Sequence, residues 1–134
     1  MKLSDTIQML RRRINDTSEE PAFSDADLKG YILDALAKLQ VRVPDFDITI
    51  ENDEFNRDIT PAEASLVALQ AHVLITEAVK SSADRDNFTI RKGRLEIDTS
   101  GQSADHARTL EHLTKELDDM IYDMYFRVTG VRVE

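Results

Sequence analysis

The chain has 134 residues, 41% of them hydrophobic, and sets 26 Asp and Glu against 17 Lys and Arg for a formal charge of −9. That length suits one domain, residues 1–134, able to bury roughly two thirds of its unfolded surface, and the charge argues against a binder of duplex DNA or anionic membrane acting through net charge. The absence of cysteine removes disulfide scaffolds and thiolate metal sites.

The opening MKLSDTIQML has no signal-peptide apolar run, and no segment offers ~18 uninterrupted apolar residues, so a soluble, non-exported protein with no membrane partner is expected. In the first segment Ile7, Leu10 and Ile14 fall at helical spacing behind Ser4 or Asp5 as N-cap, which predicts a short helix near 4–14, ended by the polar run NDTSEEP. A second helix is predicted over 25–40. Ser24 caps it, Asp27 stands in for the usual Glu of a capping box, and Phe23 is placed as a staple against Leu28. Leu28, Ile32, Ala35, Leu36 and Leu39 form its apolar stripe, and Pro44 stops it.

Residues 44–60 carry six acids and one Arg, about −5 of the total charge. Within this linker Phe46, Ile48 and Ile50 either pack back on the body or form a short strand. Thr60, Pro61 and Glu63 then combine a capping box with proline at the first helical position. The helix predicted over 61–81 has almost no polar face, with Leu66, Leu69, Val73 and Leu74 among its apolar residues, as expected of a central helix covered on most sides.

The stretch FTIRKGRLEIDT, residues 88–99, changes period and charge. A turn at Lys92 and Gly93 pairs Ile90 with Leu95, Thr89 with Glu96 and Phe88 with Ile97, so a hairpin is predicted at about 87–98. Arg91, Lys92 and Arg94 against Glu96 and Asp98 leave it at +1. Last comes a long amphipathic helix over 103–127, roughly 37 Å, with Leu110, Leu117 and Ile121 on its apolar stripe. In the tail, Val128, Val131 and Val133 could add a strand to a partner's sheet edge. The fold expected is mainly α: a compact bundle of about four helices with one inserted β-hairpin.

No catalytic constellation emerges, so an enzyme, a cofactor and a metal are not expected. None of His72, His106 and His112 lies three residues after a Glu, which excludes the Glu-x-x-His pairs of di-iron bundles. His112 and Glu116 share a helix face but lack a companion pair. His72, within the apolar helix, reads as a satisfied core histidine. Glycine-rich phosphate loops and nucleophile elbows are missing. Two basic clusters remain. Arg11, Arg12 and Arg13 either complement the dipole of the first helix from a solvated face or touch a partner or phosphate. Arg91, Lys92 and Arg94 form either a merely polar hairpin tip or a contact, and Arg91 and Arg94 would oppose each other across the turn.

Taken in order, LRRRIND, FSDADLKGYILDALAKL, the acidic loop, ITPAEASLVALQAHVLI, the IRKGRLEID hairpin trailing into Asp-Thr-Ser and the long final helix resemble the head-to-tail connector, or head-completion, proteins of long-tailed bacteriophages, over about residues 3–127. The resemblance implies a virion structural protein at the head–tail junction, made in the host cytoplasm. It implies a ring of twelve copies under the portal protein that extends the DNA channel and presents a platform to the next head-closure or tail protein. Double-stranded DNA would pass through such a ring unread. Only VTGVRVE follows the last helix, which leaves little chain for a C-terminal docking arm. The alternative is a small acidic helical regulator or adaptor that binds a single protein partner. The basic hairpin separates the two, because a ring needs an element that reaches its neighbour and a regulator does not.

Overall fold

A computed structural model describes residues 1–17, 21–84 and 102–126. The predicted hairpin at 87–98 and the tail with Val131 and Val133 lie outside the described residues. Helix α1 (Leu3–Arg13) starts earlier than Ser4 or Asp5 would set it, with Lys2 as its N-cap. Two carboxylates satisfy its first N–H groups: Asp5 accepts from the Lys2 backbone N–H at 3.0 Å, and Glu54, far along the chain, accepts from Leu3 at 2.7 Å. Its end is a left-handed turn at Asn15 (φ 62°), where Asn15 N–H bonds to the Arg12 carbonyl and Asp16 N–H to the Arg11 carbonyl. That pattern is a Schellman motif with Asn in the glycine position.

Helix α2 (Asp25–Arg42) carries the predicted capping box, Ser24 Oγ accepting from Asp27 N–H at 3.0 Å and the Asp27 carboxylate accepting from Ser24 N–H at 3.2 Å. Phe23 and Leu28 are both buried, as a staple requires, and Phe23 also meets Tyr31 edge-on at 6.1 Å. The loop after α2 buries Phe46 and Ile48 and forms a small antiparallel hairpin, β1 (Ile50–Glu51) and β2 (Glu54–Phe55), with Ile50 opposite Phe55. Both residues of its turn, Asn52 (φ 55°) and Asp53 (φ 63°), are left-handed, the geometry of a type I′ turn.

Helix α3 (Pro61–Asp84) is capped by Thr60, whose Oγ1 accepts from Glu63 N–H at 3.1 Å while the Glu63 carboxylate accepts from Thr60 N–H at 2.9 Å. It packs against α1, α2 and α4 (Gln102–Ile121). Leu66, Val67, Ala68, Leu69, Gln70 and Ala71 are buried in unbroken succession, so every side of this stretch is covered. Among the described residues the protein is thus mainly α, a four-helix bundle with a β-hairpin inserted at 50–55, a different segment from the hairpin expected at 87–98. Helix α4 passes at its end into a π turn (Tyr122–Phe126) instead of running on as α-helix to residue 127. The wider turn goes with Tyr125 packing edge-on against Phe46, centroids 6.4 Å apart.

Of the expected core, Leu28, Ile32, Leu36, Leu66, Leu69, Val73, Leu117 and Ile121 are buried, whereas Leu74 and Leu110 are only half-buried. The reason lies in the relative lengths of the helices. The last turn of α1 is level with His72 and Glu116, which Arg13 touches, and α3 and α4 continue past it with less around them among the described residues.

Candidate interaction surface

The three arginines of α1 have three different fates. Arg11 is buried and forms neither a solvated face nor a partner contact, contrary to both expectations. Its guanidinium donates to the Asp16 carboxylate at 3.2 Å, to the Phe23 carbonyl at 2.8 Å and to the Asp25 carboxylate at 2.7 Å. Asp16, equally buried, also accepts from the backbone N–H groups of Ala22 at 2.7 Å and Phe23 at 3.0 Å. The cluster therefore fastens the connection between α1 and α2 at both ends. Arg12 is exposed and has no polar partner among the described residues. Arg13 is half-buried. Its Nε donates to His72 Nδ1 at 3.3 Å, and its second arm reaches Glu116 at 3.5 Å, so it ties α1 to α3 and α4.

His72 is the satisfied histidine expected of it. Burial first, and the adjacent Arg13 guanidinium second, push its pKa down to about 4, which keeps the ring neutral and its Nδ1 free to accept. His112 is exposed, and its neighbour on the helix face, Glu116, is the partner of Arg13. No group of three or more potential metal ligands occurs among the described residues.

The acidic loop is tied down from within. Arg57 grips Glu63 with both arms, at 3.0 and 2.9 Å, and reaches Asp47 at 2.8 Å. Its hydrogen bonds hold both carboxyls below their usual range, and the paired acids raise Arg57 in turn. Asp53 is held low in the same way by its hydrogen bond from Lys29, and Glu54 turns inward to the start of α1. Asp45, Glu51 and Asp58 are exposed on this loop.

No family model, curated protein or solved structure matches this chain.

Among the described residues, apolar surface is left over in the π turn, where Tyr122 and Phe126 are exposed, and in two other places. Helix α2 carries a second apolar row diametrically opposite its buried one: Ala26, Gly30, Leu33, Ala37 and Val41, at steps of three and four. Leu33 is 45% exposed and Val41 is 85% exposed. Beside this row stand Asp34 and Lys38, both exposed, and neither has a hydrogen bond or ion pair among the described residues. The other described cationic side chains of α2 are engaged, Lys29 with Asp53 and Arg42 with Asp118. The second place is α4, where a shallow open groove of about 740 Å³ runs over Ala107, Leu110 and Thr114 between the charges of Glu111, Lys115 and Asp118.

Of the sites expected from sequence, Arg11 belongs to the core, Arg13 to the helix junction, and Arg12 presents its charge outward, while Arg91, Lys92, Arg94, Val131 and Val133 lie outside the described residues. The outer row of α2 is what sequence reasoning passed over, although its signal was in plain view: a helix with one apolar stripe too many.

Proposed function

We propose that this chain is a head-to-tail connector of a long-tailed bacteriophage, assembling as a ring beneath the portal protein and linking the capsid to the next head-closure or tail protein. The observation that supports this reading is the order of elements: a short helix, a capped second helix, an acidic loop, a wholly apolar central helix and a long amphipathic final helix. That order follows the resemblance in the sequence, and the described helices occur at 3–13, 25–42, 61–84 and 102–121. The acidic balance suits a channel wall that DNA slides past without being read.

The test is co-expression with the portal protein encoded in the same genome, followed by negative-stain microscopy. A ring of this chain capping portal particles is the expected outcome. Failure to co-sediment with portal assemblies, together with a stoichiometric complex with some other single protein, would replace this reading with the regulatory adaptor. Charge reversal at Arg91, Lys92 and Arg94 together refines the answer. Loss of portal binding by a folded variant assigns the basic stretch to assembly, and normal assembly with altered DNA retention assigns it to the channel.

A further inference from the structure

We infer that two copies of this chain pair through the outer faces of α2, antiparallel about a two-fold axis that crosses the helix near residue 35. The outer row is complementary to itself in that register. Leu33 of one copy lies opposite Ala37 of the other, and Val41 lies opposite Gly30, so each large side chain meets a small one. At Gly30 no described atom beyond its chain neighbours and the backbone of its own helix lies within 4 Å of the position a Cβ would take, which leaves a notch open to a side chain from outside. The same register sets Asp34 against Lys38 of the second copy. Because the axis repeats every contact, the pair forms twice. These two charges lack an intramolecular partner among the described residues, and an i, i+4 acid–base pair on an exposed helix that does not close on itself is available to another molecule. Small residues on the row let the two helix axes approach to about 8 Å, the close end of helix packing.

The alternation of size and the opposition of charge both select a second copy of the same helix over an unrelated partner. A helix with matching steps but arbitrary charges would satisfy only half of the surface. This pairing is independent of the connector reading, since a two-fold contact closes after two copies and cannot by itself build a ring. One helix pair is smaller than a standard interface, so the dimer belongs in the micromolar range.

Sedimentation velocity across the micromolar range tests it, with thermal melts confirming that each variant is folded. The wild-type chain is expected to pass from monomer to dimer, and Val41→Glu to remain monomeric. Asp34→Lys or Lys38→Asp alone places like charges opposite each other twice and should weaken the dimer about tenfold. The two exchanges together restore opposite charges and should recover most of the affinity. A wild-type chain monomeric throughout, a dimer indifferent to Val41→Glu, or a double exchange no better than either single change would each overturn the inference.

Discussion

Replacing Arg11 with Met isolates the most consequential interaction in the N-terminal half. Met keeps much of the buried volume and removes three charge-assisted hydrogen bonds, those to Asp16, to the Phe23 carbonyl and to Asp25. The bond to Asp25 is worth least, because that carboxylate is 72% exposed and water screens it. Asp16 matters most. Its side chain is 2% exposed, and among the described residues its charge without Arg11 keeps only the backbone N–H groups of Ala22 and Phe23. Removing one member of a buried pair costs about 3–5 kcal/mol, a large share of the ~5–15 kcal/mol by which a domain is stable. For a chain of this length each kcal/mol moves the melting temperature by about 3–5 °C, so the expected loss is roughly 10–25 °C. Arg12→Met, one residue along, should change stability by no more than about 0.5 kcal/mol. Far-ultraviolet circular dichroism melts and urea titrations of both variants give the comparison. Equal melting of Arg11→Met and Arg12→Met would refute the assignment of Arg11 to the buried network. So would failure of a second change, Asp16→Asn, to recover any of the loss.

The central helix supplies a graded test: Leu69→Asp places a charge at a fully buried position and should abolish folding, whereas Leu74→Asp, at a half-buried one, should lower the urea midpoint and leave the fold intact. Thr60→Ala removes the cap of α3 and should cost about 1 kcal/mol in the same titration. His72 makes stability depend on pH in a definite direction. Its folded pKa of about 4 lies below the ordinary 6.5, so the unfolded chain takes up the proton first, and the contribution is complete above pH 6.5 and lost as pH falls toward 4. The shift corresponds to about 3 kcal/mol at most, and partial exposure reduces that to about 1–2. His72→Gln keeps an acceptor for Arg13 without titrating, so its urea midpoint should fall less than that of the wild type between pH 7 and 5, above the range in which Asp47 and Glu63 take up protons. Parallel curves would show that His72 is not held neutral.

What the sequence disclosed was local. Ser24 with Asp27, and Thr60 with Pro61 and Glu63, act within one turn, so the starts of α2 and α3 were legible from neighbouring residues alone. The cap of α1 was not, because half of it comes from Glu54, 51 residues away. Arg11 escaped for a similar reason. Three consecutive arginines look alike in composition, and only the return of the chain through Asp16 to Asp25 chooses one of them for burial. The hairpin at 50–55 was legible in principle, since Asn52 and Asp53 between Ile50 and Phe55 are the residues a left-handed two-residue turn favours. The density of acids there favoured a linker instead, and the neutralising role of Arg57 becomes visible only once Asp47 and Glu63 converge on it.

The coverage of α3 also has a consequence for how the chain emerges during synthesis. Residues Pro61–Val79 are, by length and composition alone, apolar enough to cross a membrane. The helices that bury this segment are made at different times. Both α1 and α2 precede it and can receive it as it leaves the ribosome, but α4 ends at Ile121, 42 residues after Val79. At ~5–20 residues per second, one flank of the segment stays uncovered for about 2–8 s. That interval, set by chain order and not by final stability, is when the nascent protein would most need a chaperone and when a slow stretch of translation between α3 and α4 would do most harm.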